Sequence, residues 1–376
     1  MRLRSLTMAL LCGGATFLTV SCENEIEEMD MKTVSARNAV GLAIGQDNLV
    51  LNLPPDYGQM SENLRNAIVG EAVAPSECYN TQFVAVQRKY AVPLVADPVA
   101  IQNYSLYTQI NQIYSYFFDR GEQYFGAGGE YTQLMTKRTR ELEKFWNMPG
   151  EIIVNGQHVA TLENREALAD VIEAFAEGVT SREQAYAIAD VLLAENAKSP
   201  LLPESPYFSL DGFATPYDNL IVIGDGLVQM VSESGVDADI VWTGVLAHEW
   251  AHQIQFKNMG TWYPNGAAAD PAEDTRYTEL EADFLAAYYM THKRGATYNS
   301  KRVAQFFELF FQVGDCGFSS PTHHGTPLQR MAAAQLGFNL ADNAQKQGHI
   351  MSIEEAHRYF VANVGKIVTP ATVYVR

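Results

Sequence analysis

Over most of this chain, apolar residues recur every three to four positions, a spacing that predicts helices rather than strands. From about residue 60 to 197 the pattern is mainly helical. The stretch NYSLYTQINQIYSYFFDRGEQYF (103–125) sets tyrosines at helical spacing. Such a stripe is more often core packing than a carbohydrate-binding platform, although both readings are open at this point. LENREALADVIEAFAEG predicts a helix stopped by Gly178, and Ser181-Arg-Glu-Gln184 forms a capping box opening the next, which runs to about Asn196. SPLLPESPYF, with three prolines, then breaks the pattern near residue 200.

Beyond that break, LIVI (220–223) predicts a short strand followed by a GDG turn. Asp239 is the expected N-cap of a helix covering IVWTGVLAHEWAHQIQF. A second long helix is expected over about 276–292. A third should start at Thr326-Pro327, with Thr as cap and Pro at the first helical position. Ser352-Ile-Glu-Glu355 caps a last helix, and VTPATVYVR has the composition of a terminal strand. No internal repeat is visible.

At 376 residues the chain can bury a full core, and its 47% hydrophobic and 19% charged residues are those of a globular protein. A net charge of −18 without any basic run argues against nucleic acid as a partner. The N-terminus MRLRSLTMALLCGGATFLTVSC has two arginines and then an apolar run too short to span a bilayer alone. Its end at Ser21-Cys22, followed by ENEIEEMD, resembles the lipobox of bacterial lipoproteins. The resemblance implies that Cys22 is lipid-modified, and that the chain is anchored by it to the outer membrane of a bacterial envelope. The acidic residues after it resemble a surface-export signal of Bacteroidetes lipoproteins. Cys78 and Cys316 could then form a disulfide or remain separate buried thiols.

HEWAHQIQ, from His248, carries the chemistry. Histidines at i and i+4 lie on one helix face about a turn apart, so both rings can meet one zinc ion. Glu249, rotated about 100°, is placed to act on water at the metal rather than on the metal itself. A catalytic zinc needs a third protein ligand and an open position. The other histidines do not stand in the short downstream H-x-x-G-x-x-H arrangement. A carboxylate on another helix is then the common solution, and ELEAD (279–283) offers three.

HEWAH followed by ELEAD resembles the gluzincin pattern, HExxH then ExxxD. HGTPLQR (324–330) downstream is similar to a segment recurring in uncharacterised bacterial proteins described as neutral zinc metallopeptidases. The resemblance covers roughly residues 205–340 and implies Glu279 as third zinc ligand. It implies Asp283 behind a ligand histidine, fixing its tautomer and orientation. Glu281, about 200° round the helix from Glu279, is expected to face water. Arg276 could buttress a carboxylate or form an exposed ion pair. By likeness to thermolysin-like enzymes, His324 is the candidate for stabilising the oxyanion.

The implied fold is α+β and predominantly helical, with a zincin-like domain holding a small sheet. Its divisions are signal 1–21, acidic tether 22–50, helical region 51–200 and metallopeptidase domain 201–376. The expected function is zinc-dependent hydrolysis of a peptide or protein substrate with Glu249 as general base. LIVI is a candidate edge strand for binding that substrate. Two other readings share these residues: a zinc-stabilised envelope lipoprotein binding a glycan or partner, and a zinc amidohydrolase acting on cell-wall amides.

Overall fold

The computed structural model describes residues 82–202, 204–268, 271–313, 327–345 and 348–368, together with 49, 51 and 325. The predicted lipid site at Cys22, the cysteines Cys78 and Cys316, the cap Thr326, His324 and the expected C-terminal strand lie outside them. Among the described residues no helix is long and apolar enough to cross a membrane.

The chain is mostly helical around one small sheet, in keeping with the expected α+β class. Helices α1 (Gln82–Ala96), α2 (Pro98–Ile113) and α3 (Thr132–Trp146) precede strand β1 (Ile153–Gln157). Helices α4 (Arg165–Phe175) and α5 (Arg182–Asn196) follow, then strands β2 (Gly212–Thr215) and β3 (Leu220–Gly224). The remainder is helical: α6 (Asp225–Glu233), α7 (Ala238–Trp262), α8 (Pro271–Thr291), α9 (Ser300–Val313), α10 (Pro327–Gln345) and α11 (Ile353–Val368).

Local chemistry explains many of the boundaries. Asp97 accepts from the backbone N–H groups of Val99 and Ala100, and Pro98 sits at the first position of α2. Ser181 accepts from Gln184 N, while the Gln184 side chain takes the N–H of Thr180. Ser352 and Glu355 form a reciprocal capping box before α11. The cap of α7 is Asp237 rather than Asp239: its carboxylate accepts from Asp239 N, which leaves Asp239 inside the first turn.

Strand order is β1-β3-β2, with β1 parallel and β2 antiparallel to β3. The LIVI strand is therefore central, not an edge, and all five residues of β3 are buried. A strand buried on both faces reads as an unbroken apolar run, which explains its composition. Because β1 comes from before residue 200 and β3 from after it, the sheet ties the two halves of the chain together. The first part of the tyrosine stripe is core, Tyr104, Tyr107, Ile110 and Ile113 having no exposure, while Tyr114 and Tyr116 are part-buried and Phe117 and Tyr124 exposed.

Every residue of α7 from Ile240 to Gln255 is buried, and α8 is buried continuously from Thr278 to its end at Thr291. Helices covered on all sides belong to the centre of a core. α7 and α8 pack against each other, α10 lies along α8, and α9 and α11 close the remaining sides. The α8–α10 approach is close enough that a Cβ on Gly337 would stand 2.2 Å from the Phe284 carbonyl oxygen, so only glycine fits without a shift. In front of α7, the rings of Phe125 and Tyr131 meet Trp242 at 5.7 and 5.8 Å.

Candidate metal centre

α7 and α8 run antiparallel past each other, so that His248 lies beside Asp283 and Gln255 beside Thr278. This register brings together His248 and His252 on one face of α7 and Glu279 on the facing side of α8. Among the described residues they are the one group whose ligand atoms converge, all within 4.8 Å of one another. His248 Nε2 and His252 Nε2 are 3.1 Å apart. Each faces the Glu279 carboxylate, at 3.3 Å and 3.4 Å respectively.

The outer nitrogens decide what this convergence means. His248 Nδ1 lies 3.1 Å from Asp283 Oδ1, and His252 Nδ1 lies 2.8 Å from Gln255 Oε1. Both partners are acceptors, so in neutral rings both protons belong on Nδ1. Both Nε2 lone pairs then point inward, at each other and at carboxylate oxygens. A cation placed between them would satisfy all three groups at once. The charge balance agrees. Glu249, Glu279, Glu281 and Asp283 all have 0% exposure, and the Arg330 guanidinium reaches Glu279 and Asp283. A divalent ion would offset two of those buried negative charges.

Asp283 takes the place the ExxxD frame implies. Arg330 holds it with two hydrogen bonds, Nε to Oδ2 at 2.7 Å and Nη2 to Oδ1 at 2.8 Å, and passes 3.6 Å from Glu279. Burial alone would raise the Asp283 carboxyl. The adjacent guanidinium, its hydrogen bonds and His248 outweigh that and hold it below the usual carboxylate range. Arg330 closes the HGTPLQR segment, which stood in the sequence without a role for its arginine. Gly325, earlier in the same segment, adopts φ +94° and packs against Leu280, Arg276 and Arg330.

Glu249 follows His248 on α7 and turns toward β2. A Cβ placed on Gly212 would lie 4.0 Å from Glu249 Oε1, so β2 runs past the candidate base. Arg276 pairs one turn back with Glu273 at 3.0 Å and is itself largely buried.

Glu281 departs from expectation. It is fully buried, not in water, because α8 has neighbours on every side: α7, α9, α10 and α11. Its Oε1 accepts from His357 Nδ1 at 2.7 Å, and its Oε2 accepts from Tyr263 Oη at 2.7 Å and Gln255 Nε2 at 3.2 Å. Burial, with the Glu281 carboxylate beside it, pushes the Tyr263 hydroxyl above its ordinary range and keeps it a donor.

The chain matches no protein-family model, no curated protein and no solved structure.

Proposed function

We propose that this chain is a zinc metallopeptidase of the gluzincin kind. The observation that carries the reading is the inward convergence of two Nε2 lone pairs and one carboxylate, with a further carboxylate, Glu249, next along the same helix. His248, His252 and Glu279 would hold the ion. Two nitrogens and one carboxylate are a donor set common at catalytic zinc with an open fourth position. When bound, zinc supplies Lewis acidity and lowers the pKa of water toward 7.

The chain's own groups do the rest. Glu249 takes a proton from the attacking water on its carboxylate oxygen and delivers it to the departing amine nitrogen. Asp283, clamped by Arg330, keeps the His248 proton on Nδ1. For substrate alignment β2 replaces LIVI. Gly224 N donates to Asp211 O, and the register then turns the N–H and C=O of Gly212 and Ala214 away from β3, toward the outer edge. An extended peptide pairing there would lie alongside Glu249. Lipid attachment at Cys22 would place the enzyme on the bacterial envelope.

A second reading rests on burial. The centre and all four residues of β2 are buried, as suits a metal that only holds the fold. Glu249→Gln separates the two. The proposal expects this variant to keep its metal and its thermal unfolding, and to lose cleavage of a broad peptide library that also contains peptidoglycan fragments. Wild-type protein that holds metal yet cleaves nothing the variant does not would favour the structural reading.

A further inference from the structure

We infer that Glu281 is a positioning residue for the metal centre. With Tyr263 and His357 it orients the amide of Gln255, which keeps the His252 proton on Nδ1 and aims the Nε2 lone pair inward. This rests on the metal reading above and extends it to four residues beyond the ligands.

The orientation follows from donor and acceptor chemistry. One end of the Gln255 amide meets the Thr278 carbonyl at 2.8 Å and Glu281 Oε2 at 3.2 Å. Both are oxygens that can only accept, so the NH2 group must face them. The amide oxygen is thereby turned to His252 Nδ1, at 2.8 Å. An amide oxygen only accepts, so Nδ1 carries the hydrogen. A flipped Gln255 would present NH2 to Nδ1, move the ring proton to Nε2 and remove a ligand. The Thr278 carbonyl alone leaves this choice to a single contact. The Glu281 carboxylate adds a second, and being charged it makes the stronger bond.

Glu281 is in turn held from two other elements. Tyr263, just past α7, donates to Oε2, and His357 of α11 sits against Oε1. The His357 ring stacks flat on Trp262, 3.9 Å between centroids and 5° between planes. Trp262 Nε1 donates to Glu354 at 2.8 Å. The end of α7 and the start of α11 are thus clamped together around the carboxylate. The C-terminal helix reaches the metal centre through three side chains, His357, Glu281 and Gln255.

The test uses protein labelled with 15N-histidine, read first without metal and then titrated with zinc against a chromophoric chelator. Long-range 1H–15N spectra of metal-free wild type should show His252 protonated on Nδ1. Gln255→Leu and Glu281→Ala should weaken zinc binding about 10- to 100-fold, with a mixed or Nε2-protonated His252. Glu281→Gln should recover most of the affinity, since its amide oxygen can still accept from Gln255 and Tyr263. Should Glu281→Ala not fold, Tyr263→Phe removes one hydroxyl and should weaken binding about threefold. Wild-type His252 protonated on Nε2, or variants that bind zinc like wild type, would overturn the relay. Wild type that binds no zinc would instead sink the metal reading, and the metal-free tautomer would still judge the relay.

Discussion

Two clusters of histidine and carboxylate among the described residues, one buried and one part-buried, are wired in opposite ways. At the carboxyl ends of β1 and β3, His158 Nδ1 meets Asp225 Oδ2 at 2.6 Å, and Asp225 Oδ1 accepts from Gly126 N at 3.0 Å. Asp211 accepts from the Gln157 side chain, and Tyr124 stacks on the His158 ring at 3.7 Å. There each carboxylate faces a donor. Between α7 and α8, donors face outward and acceptors face inward: His248, His252 and Glu279 present lone pairs to one another. The difference teaches what to look for in a buried polar group. Alternation of donor and acceptor suits a structural role, whereas convergence of acceptors makes a group that could hold an ion.

The largest effect that would sharpen this contrast is at Arg330. Arg330→Met leaves Asp283 buried beside Glu279 without its cation, and should cost about 3–5 kcal/mol in denaturant unfolding. Next comes the ion itself. Zinc at a hundred times its dissociation constant should stabilise wild type by about 2.7 kcal/mol, and a chelator should reverse it. That increment should survive changes to the sheet-end cluster. There Asp225→Ala should cost about 1–3 kcal/mol through two lost hydrogen bonds, with zinc affinity unchanged. A change in affinity would mean that the two clusters are coupled.

The effect confined to a pH window is at Asp211. Burial, partly countered by the Gln157 hydrogen bond, raises its carboxyl from 3.8 to about 6. The folded state therefore holds the proton more tightly, and this group lowers stability as pH rises from about 4 through 6. Asp211→Asn should be more stable than wild type above pH 6 and lose that advantage below pH 4. Urea melts across this range would show it, and a gain confined to low pH would contradict it.

What could be read in advance depended on spacing within one helix. His248 and His252, like Glu279 and Asp283, are four residues apart, and that alone puts each pair on one face. The same rule puts Glu281 in water only if α8 has a wet face, and it has none there. The residues around it argued otherwise: LEADFLAAYYM is apolar nearly all round, the pattern of a helix with no face in water. Gln255 stood inside HEWAHQIQ, one turn past His252, and Arg330 at the end of HGTPLQR. Gln255 meets His252 on its own helix, but the groups that orient it, Thr278 and Glu281, and the carboxylate of Asp283 that Arg330 holds come from α8, so nothing local reveals these roles. β1 carries little signal of its own because IVNGQ holds only two large apolar residues, and its strand conformation is supplied by pairing with β3. LIVI reads as a strand, but its central place in the sheet depends on that neighbour.

The central claim is that three side chains on two antiparallel helices hold one metal ion. Metal analysis of the purified protein, with Glu279→Ala beside it, tests this most directly. The account predicts close to one zinc per chain in wild type and none retained after dialysis in the variant, with helical content kept. Wild type without zinc, or Glu279→Ala holding as much as wild type, would contradict it.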